Sequence, residues 1–202
     1  GAMFLIHFTA TLIAILISYG LYFYLKRRAY GQRWGDIRSG LWFSMVRFGL
    51  RQLEDTSWHI RNWRPNVLAF TGTAGTSHSR EQLMELASWL SSGGGIVTLY
   101  HLLVGNLADL AKRGLCKTSS QSLKNYIREE RIEAFAGCSL VSDLRNGIIT
   151  ALQVHGIGGL EPNTALIGFS QKPEVQKEQF DIMRDAVAIG KSVLFLYYNE
   201  ER

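Results

Sequence analysis

The sequence predicts an α/β fold: a five-stranded, mostly parallel, doubly wound sheet that follows an apolar helix and an amphipathic connector. Beyond Pro65, short apolar runs of β type alternate with helical patterns, which is typical of βαβ crossovers. The strand runs are continuously apolar, as in a parallel sheet that helices cover on both faces. We therefore expect one domain over residues 65–202, with a strand order such as 3-2-1-4-5.

Charge is distributed unevenly along the 202 residues. The net charge is +5, with 47% hydrophobic and 19% charged residues, and this composition excludes a disordered chain. Residues 26–64 carry nine basic and three acidic side chains, whereas residues 65–202 carry 13 basic and 14 acidic ones. The predicted domain is thus nearly neutral, and we expect no nucleic-acid partner for it.

The first element is an uncharged apolar segment over residues 4–25, preceded by residues 1–3, which resemble a cloning scar. As a helix, its 22 residues would cover the hydrocarbon core of a bilayer, about 30 Å. A signal peptide would carry its basic residues before the apolar run, but here Lys26, Arg27 and Arg28 follow it. We predict a membrane-spanning helix, with the chain after Leu25 on the cytoplasmic side of the cell membrane.

The second element, over residues 26–64, is a basic amphipathic connector. Arg47 and Arg51 share one face, and Pro65 ends the helical pattern because proline has no N–H to donate. A helix on the membrane surface and a helix packed on its own protein would both have this pattern. Its apolar side chains recur at helical spacing: Ile37, Leu41, Met45 and Phe48.

The remaining elements alternate between strands and helices. The strands are predicted over residues 66–71, 96–103, 132–141, 164–169 and 192–198. Capping boxes at residues 79–82 and 118–121 predict the starts of two helices, and Asp143 predicts the start of another. Two more helices are predicted over residues 106–113 and 174–189.

The loop after the first strand contains Gly72, Gly75 and Ser77, where a sheet of this kind binds ligands. The glycine spacing matches neither a dinucleotide fingerprint nor a phosphate loop, and no lysine follows Gly75. A flexible polar loop is therefore the favoured interpretation, and nucleotide binding is the alternative.

The remaining polar residues assemble no catalytic or metal site in the sequence. The five histidines are far apart, and Cys116 and Cys138 form no Cys-x-x-Cys element, so we expect two separate, reduced thiols. Asp143 fits a helix cap better than a catalytic acid. We expect a protein that is not an enzyme and has no cofactor or metal.

The order of these features resembles the end of the membrane domain and the start of the cytoplasmic C-terminal domain of cation-chloride cotransporters. The resemblance runs from about Leu21 to the end of the chain. The motif residues that carry it are Trp34, Gly35, Asn62, Trp63, Arg64, Pro65, Asp143, Arg145, Gly147, Pro162, Asn163 and Thr164. Asn66 and the run from Gly156 to Leu160 accompany them.

The resemblance implies a regulatory, dimer-forming cytoplasmic domain of an electroneutral symporter that moves chloride with sodium, potassium or both. Its partners would be the transporter's own membrane domain, a second copy of the chain and the membrane surface near the connector. The family fold is similar to universal stress proteins, so a ligand-sensing domain of that type, anchored to a membrane, is the alternative. The lack of long loop insertions suits a prokaryotic homologue. Phe169 resembles the sodium-coupled branch and Trp63 the potassium-coupled branch, so the branch stays open.

Overall fold

The computed structural model describes residues 8–28, 34–55, 63–73 and 77–197. The chain divides into two compact units, Gly1–Arg51 and Gln52–Arg202. The predicted domain boundary at residue 65 thus lies within the second unit.

The first unit contains helix α1, Phe8–Arg28, and most of helix α2, Trp34–Glu54. Large apolar side chains are exposed all along the described part of α1, among them Leu16, Tyr19 and Phe23. In the part of the chain that the structure describes, no helix is long and apolar enough to cross a membrane. The membrane span over residues 4–25 therefore stays a prediction, and its first residues lie outside the described ranges.

Helix α2 confirms that the connector contains a helix. Its exposed apolar surface is wider than the predicted stripe, because Trp42, Phe43 and Val46 join Leu41, Met45 and Phe48. Arg51 lies in the last turn, where a cation interacts favourably with the helix dipole.

The second unit is built on five parallel strands in the order β3-β2-β1-β4-β5, as predicted. β1 lies at the centre, so the chain winds first to one edge of the sheet and then to the other. The strands are β1 Asn66–Phe70, β2 Ile96–Val104, β3 Phe135–Val141, β4 Thr164–Gly168 and β5 Ser192–Leu196.

Helices cover both faces of this sheet, which confirms the doubly wound α/β fold. One core joins Leu68 and Phe70 of β1 to α6 and α7, and the other joins Val67 and Ala69 to α3 and α5. The alternation along β1 follows from the two-residue period of a strand. The helices are α3 Ser77–Ser92, α4 Leu107–Lys112, α5 Leu115–Glu129, α6 Leu144–Val154 and α7 Pro173–Ala188.

Two predicted helix starts differ from the structure. Helix α3 begins at Ser77, two residues before the predicted capping box. Helix α5 begins at Leu115 after Gly114, whose φ of 62° is left-handed, and the Thr118 hydroxyl donates to the Gly114 carbonyl at 3.4 Å. The predicted capping box at Thr118 is therefore wrong, because its hydroxyl bonds backward within the helix.

Strand β3 is shorter than predicted because the end of α5 occupies its first residues. Arg131 has a left-handed φ of 55°, and the Ile132 amide donates to the Ile127 carbonyl at 2.9 Å. Strand β5 ends at Leu196, and residue 198, its predicted end, lies outside the described residues.

The expectation of two separate thiols is wrong. The structure joins Cys116, in the first turn of α5, to Cys138, in β3, with a Cα–Cα distance of 5.6 Å. The two cysteines are 22 residues apart in the sequence, so their spacing alone does not indicate that they pair. They meet because α5 packs beside β3.

Candidate functional site

The candidate site lies at the amino edge of the sheet in the second unit, where the chain passes from Arg64 into β1. β1 and β4 are neighbouring parallel strands, so their first residues meet at one edge. Two family motifs precede these strands, Arg64-Pro65 and Pro162-Asn163-Thr164. We call the polar cluster of Arg64, Asn66, Leu160, Glu161 and Asn163 the asparagine clasp.

The Asn163 side chain forms one half of the clasp. Its amide nitrogen donates to the Arg64 carbonyl at 2.7 Å, and its Oδ1 accepts from the Asn66 backbone amide at 3.0 Å. The Thr164 hydroxyl donates to the same Oδ1 at 2.8 Å. One side chain thus satisfies main-chain groups on both sides of Pro65.

The Asn66 side chain forms the other half and reaches in the opposite direction. Its amide nitrogen donates to the carbonyls of Leu160 at 2.6 Å and Glu161 at 2.9 Å. The Asn163 backbone amide donates to the Asn66 carbonyl at 3.0 Å. Each asparagine therefore holds the segment that precedes the other, across 97 residues of sequence.

The clasp is continuous with the rest of the sheet edge. The Ile96 amide of β2 donates to the Pro65 carbonyl at 2.9 Å, and the Ser192 amide of β5 donates to the Asn163 carbonyl at 2.8 Å. Four of the five strands are thereby tied to the two motifs. Such a hydrogen-bonded edge is suited to holding and orienting a chain segment.

A glycine-rich turn supplies the carbonyls that Asn66 contacts. Gly156, Gly158 and Gly159 all have positive φ, at 120°, 60° and 77°. A Cβ at Gly156 would lie 2.6 Å from the Leu160 carbonyl oxygen. The predicted turn after α6 is confirmed, and glycine is needed there because the backbone approaches itself closely.

The motif of Asp143, Arg145 and Gly147 lies at the opposite edge, after β3. Asp143 caps α6 by accepting from the Asn146 amide at 2.8 Å. Arg145 donates to the Asp185 carboxylate of α7 at 2.7 Å, and this hydrogen bond raises the pKa of Arg145. A Cβ at Gly147 would lie 2.9 Å from methyl carbons of Val141. These residues pack α6 against β3 and α7, and they do not join the clasp.

The other motif residues lie apart from the clasp or outside the described residues. Trp34 and Gly35 begin α2, and Trp63 is exposed directly before Arg64. Asn62 lies outside the described residues. Pro162 is buried beside Asn163. Of the residues that carry the family resemblance, Arg64 and Asn163 lie in the clasp, and the accompanying Asn66 and Leu160 join them there. The motifs did not predict that these residues hydrogen-bond to one another.

The alternative ligand loop is only partly described. Gly72 lies in a short 3-10 turn after β1 and Ser77 begins α3, but Gly75 lies outside the described residues. His101 occupies the space beside Gly72, and its Nδ1 lies 3.3 Å from the Thr71 hydroxyl. Burial and the charge of Arg80 lower the pKa of His101. Nucleotide binding at this loop stays the alternative to a polar loop.

Side chains that bind metals are not clustered among the residues that the structure describes. Across residues 8–28, 34–55, 63–73 and 77–197, no group of three or more His, Cys, Asp or Glu side chains could hold a metal ion. In the clasp, the side-chain amides of Asn66 and Asn163 form hydrogen bonds with main-chain groups.

A comparison with protein families identifies the chain. The family model of solute carrier family 12 matches residues 80–200. This range includes most of α3 and every later element through β5. It also includes Asn163, Leu160 and Glu161 of the clasp. The chain belongs to solute carrier family 12. This is the cation-chloride cotransporter family that the motifs resemble.

Two solved structures are similar to this family member. One is a protein from the universal stress protein family from Burkholderia pseudomallei, with 9% identity, a TM-score of 0.45, and coverage of 64% of this chain and 94% of that chain. The other is the hypothetical protein MJ0577, with 13% identity, a TM-score of 0.46, and coverage of 68% and 98%.

Proposed function

We propose that this chain is the cytoplasmic regulatory and dimer-forming region of an electroneutral symporter that moves chloride together with sodium or potassium. The observation that carries the proposal is the family match over residues 80–200, which coincides with most of the α/β unit. Membership of a transporter family supports ion transport by the whole protein. The α/β unit would then serve regulation and assembly.

The clasp supports a coupling role for the start of this unit. It holds Arg64, the last residue of the connector, to residues that begin β1 and β4. A displacement of the connector at Arg64 would therefore be passed to the central strands instead of being absorbed by a loose loop. We propose that the connector transmits the state of the α/β unit to the membrane domain.

The apolar segment over residues 4–25 is proposed as the attachment to the membrane, with the chain after Leu25 in the cytoplasm. The described part of α1 has no charged side chain before Lys26, and its exposed apolar residues include Leu12 and Ile17. The nine basic residues between 26 and 64 would lie near the anionic cytoplasmic surface.

Ion uptake tests the proposed coupling. Arg47→Glu with Arg51→Glu, introduced into the complete natural protein, should reduce the chloride-dependent uptake of radioactive rubidium or sodium by expressing cells. The matched control is Arg47→Lys with Arg51→Lys, which keeps both charges and should preserve uptake. Normal uptake by the Glu variant, at equal surface expression, would contradict a role of the connector charges.

The oligomeric state tests the proposed dimer. Multi-angle light scattering of the full chain in mild detergent should give a protein mass of twice 22.8 kDa after correction for bound detergent. A mass of one chain at the highest accessible concentration would contradict self-association through this region.

A further inference from the structure

The cysteine pair lies outside the clasp and plays no part in the proposed transport function. Cys116 is in the first turn of α5, and Cys138 is in the middle of β3. Their Cα atoms are 5.6 Å apart, within the range that disulfides use. Both residues are half-buried.

The pair connects a helix to an edge strand. Among the residues that the structure describes, β3 is the last strand on its side of the sheet and pairs with β2 alone. An edge strand is held by one ladder of hydrogen bonds, so its other contacts contribute a larger share of its stability. A bond between Cys116 and Cys138 fastens this strand to α5 and closes a loop with a sequence separation of 22.

We propose that Cys116 and Cys138 form a reversible thiol–disulfide switch that fastens α5 to β3. In the cytoplasm, glutathione keeps most thiols reduced, and disulfides that do form there are typically transient and redox-sensing. The dithiol is then the resting state, and the disulfide forms when the pool of low-molecular-weight disulfide rises. The proposal rests on the proposed cytoplasmic placement of the α/β unit but not on ion transport by the whole protein.

The oxidation is a two-step thiol–disulfide exchange with oxidised glutathione. One thiolate of the pair attacks one sulfur of the glutathione disulfide, and the S–S bond breaks to release one glutathione thiolate. The second cysteine thiolate then attacks the sulfur of the first cysteine in the mixed disulfide and displaces the second glutathione. The two cysteines lose two electrons, and their two protons end on the two glutathione thiols.

Closing this loop should stabilise the α/β unit, because a crosslink reduces the conformational freedom of the unfolded chain. We expect the melting temperature of the oxidised chain to exceed that of the reduced chain by about 5 °C or more. Amide hydrogen exchange in β3 should be slower in the oxidised chain, since the crosslink opposes local opening of the edge.

The experiment equilibrates the full chain in mild detergent with glutathione buffers of increasing oxidised fraction. Mass spectrometry after maleimide labelling should show two labelled thiols in the reduced chain and none in the oxidised chain, and reduced glutathione should restore both labels without denaturant. Cys116→Ser with Cys138→Ser should abolish the change in melting temperature and exchange.

A positional control moves one thiol by a single residue. Cys138→Ser with Ser139→Cys keeps both thiols but places one on the opposite face of β3, because successive side chains alternate across a strand. It should form no internal bridge. The proposal is overturned if the natural thiols stay labelled in oxidised glutathione, if the bridge forms only between chains, or if its reduction requires denaturant.

Discussion

The amide nitrogen of Asn66 donates to two main-chain carbonyls, those of Leu160 and Glu161. Asn66→Asp keeps the shape of the side chain but removes this donor and places a carboxylate against both oxygens. We expect the free energy of unfolding to fall by about 2–3 kcal/mol, since the two acceptors lose their partner and meet a negative charge. Urea denaturation at pH 7.5 measures it.

The matched control for this prediction is Asn125→Asp. Asn125 lies on the exposed surface of α5, where its side-chain oxygen only accepts from Gln121 at 3.1 Å. The same chemical change there should alter the unfolding free energy by less than about 0.5 kcal/mol. Equal losses in the two variants would show that the clasp contributes no more than any surface asparagine.

Gly137 in β3 lies against the ring of Tyr100, and a Cβ at this position would overlap the ring. Tyr100 cannot easily move, because it packs edge-on against Phe70 and His155 and shares a hydrogen bond with Ser139. Gly137→Ala should therefore cost about 1–3 kcal/mol of unfolding free energy, measured by urea denaturation.

Gly93→Ala is the comparison for Gly137→Ala in the same unit. Gly93 lies after α3, and the atom nearest to where its Cβ would lie is the Leu90 carbonyl oxygen, at 4.0 Å. Its substitution should be close to neutral. A Gly137→Ala variant as stable as the Gly93→Ala variant would contradict the close packing on Tyr100.

Two half-buried histidines should make stability depend on pH. Burial lowers the pKa of His155, whose Nε2 lies 3.3 Å from the Thr98 hydroxyl, and burial with Arg80 lowers the pKa of His101. The unfolded chain therefore takes up protons at a higher pH than the folded chain. Stability should be constant above pH 7 and fall as the pH drops below the ordinary histidine value of 6.5.

Urea midpoints at pH 7.5 and 5.5 measure this dependence. His155→Gln with His101→Gln removes both titrating groups, so the difference between the two midpoints should shrink. If the double variant shows the same difference between its midpoints as the natural chain, groups other than these histidines cause the pH dependence.

At the scale of single elements, Asp143 determines where α6 begins. Its carboxylate accepts from the Asn146 amide at 2.8 Å, one of the amides that a helix start leaves without a partner. Asp143→Ala should cost about 1 kcal/mol of unfolding free energy, whereas Asp143→Asn, which retains an acceptor, should cost little. Equal losses in both variants would contradict the cap.

Elements were predictable from the sequence where one local signal dominates. Continuous apolar runs predicted the five strands, the connection rules of a doubly wound fold predicted their order, and Asp143 predicted the start of α6. Thr118 failed as a helix start because its hydroxyl could also bond backward to Gly114, and only the packed helix decides between these partners. The start of β3 failed for a similar reason, since Arg131 and Ile132 complete the end of α5.

The candidate site was predictable in part. The strand order 3-2-1-4-5 makes β1 and β4 neighbours. Asn66 and Asn163 must therefore lie at the same amino edge of the sheet. Their bonds depend on the turn around Leu160, whose path follows from tertiary packing. The pairing of Cys116 with Cys138 was missed because a search for close sequence spacing overlooks a helix that packs beside a strand.

At the scale of the whole molecule, the net charge differs between the two units: residues 1–51 carry seven basic and one acidic side chain, and residues 52–202 carry 15 basic and 16 acidic ones. The basic residues concentrate between residues 26 and 64, whereas the α/β unit that matches solute carrier family 12 is nearly neutral. This distribution agrees with the proposed placement of the connector near an anionic membrane surface.

The proposed electroneutral symport is tested most directly by the uptake of radioactive rubidium and sodium by proteoliposomes that contain the complete natural protein. Uptake should require chloride and should not change when the membrane potential is clamped at different values, because a symporter that moves equal charges of both signs carries no net current. Uptake that persists when gluconate replaces chloride, or that follows the membrane potential, would contradict it.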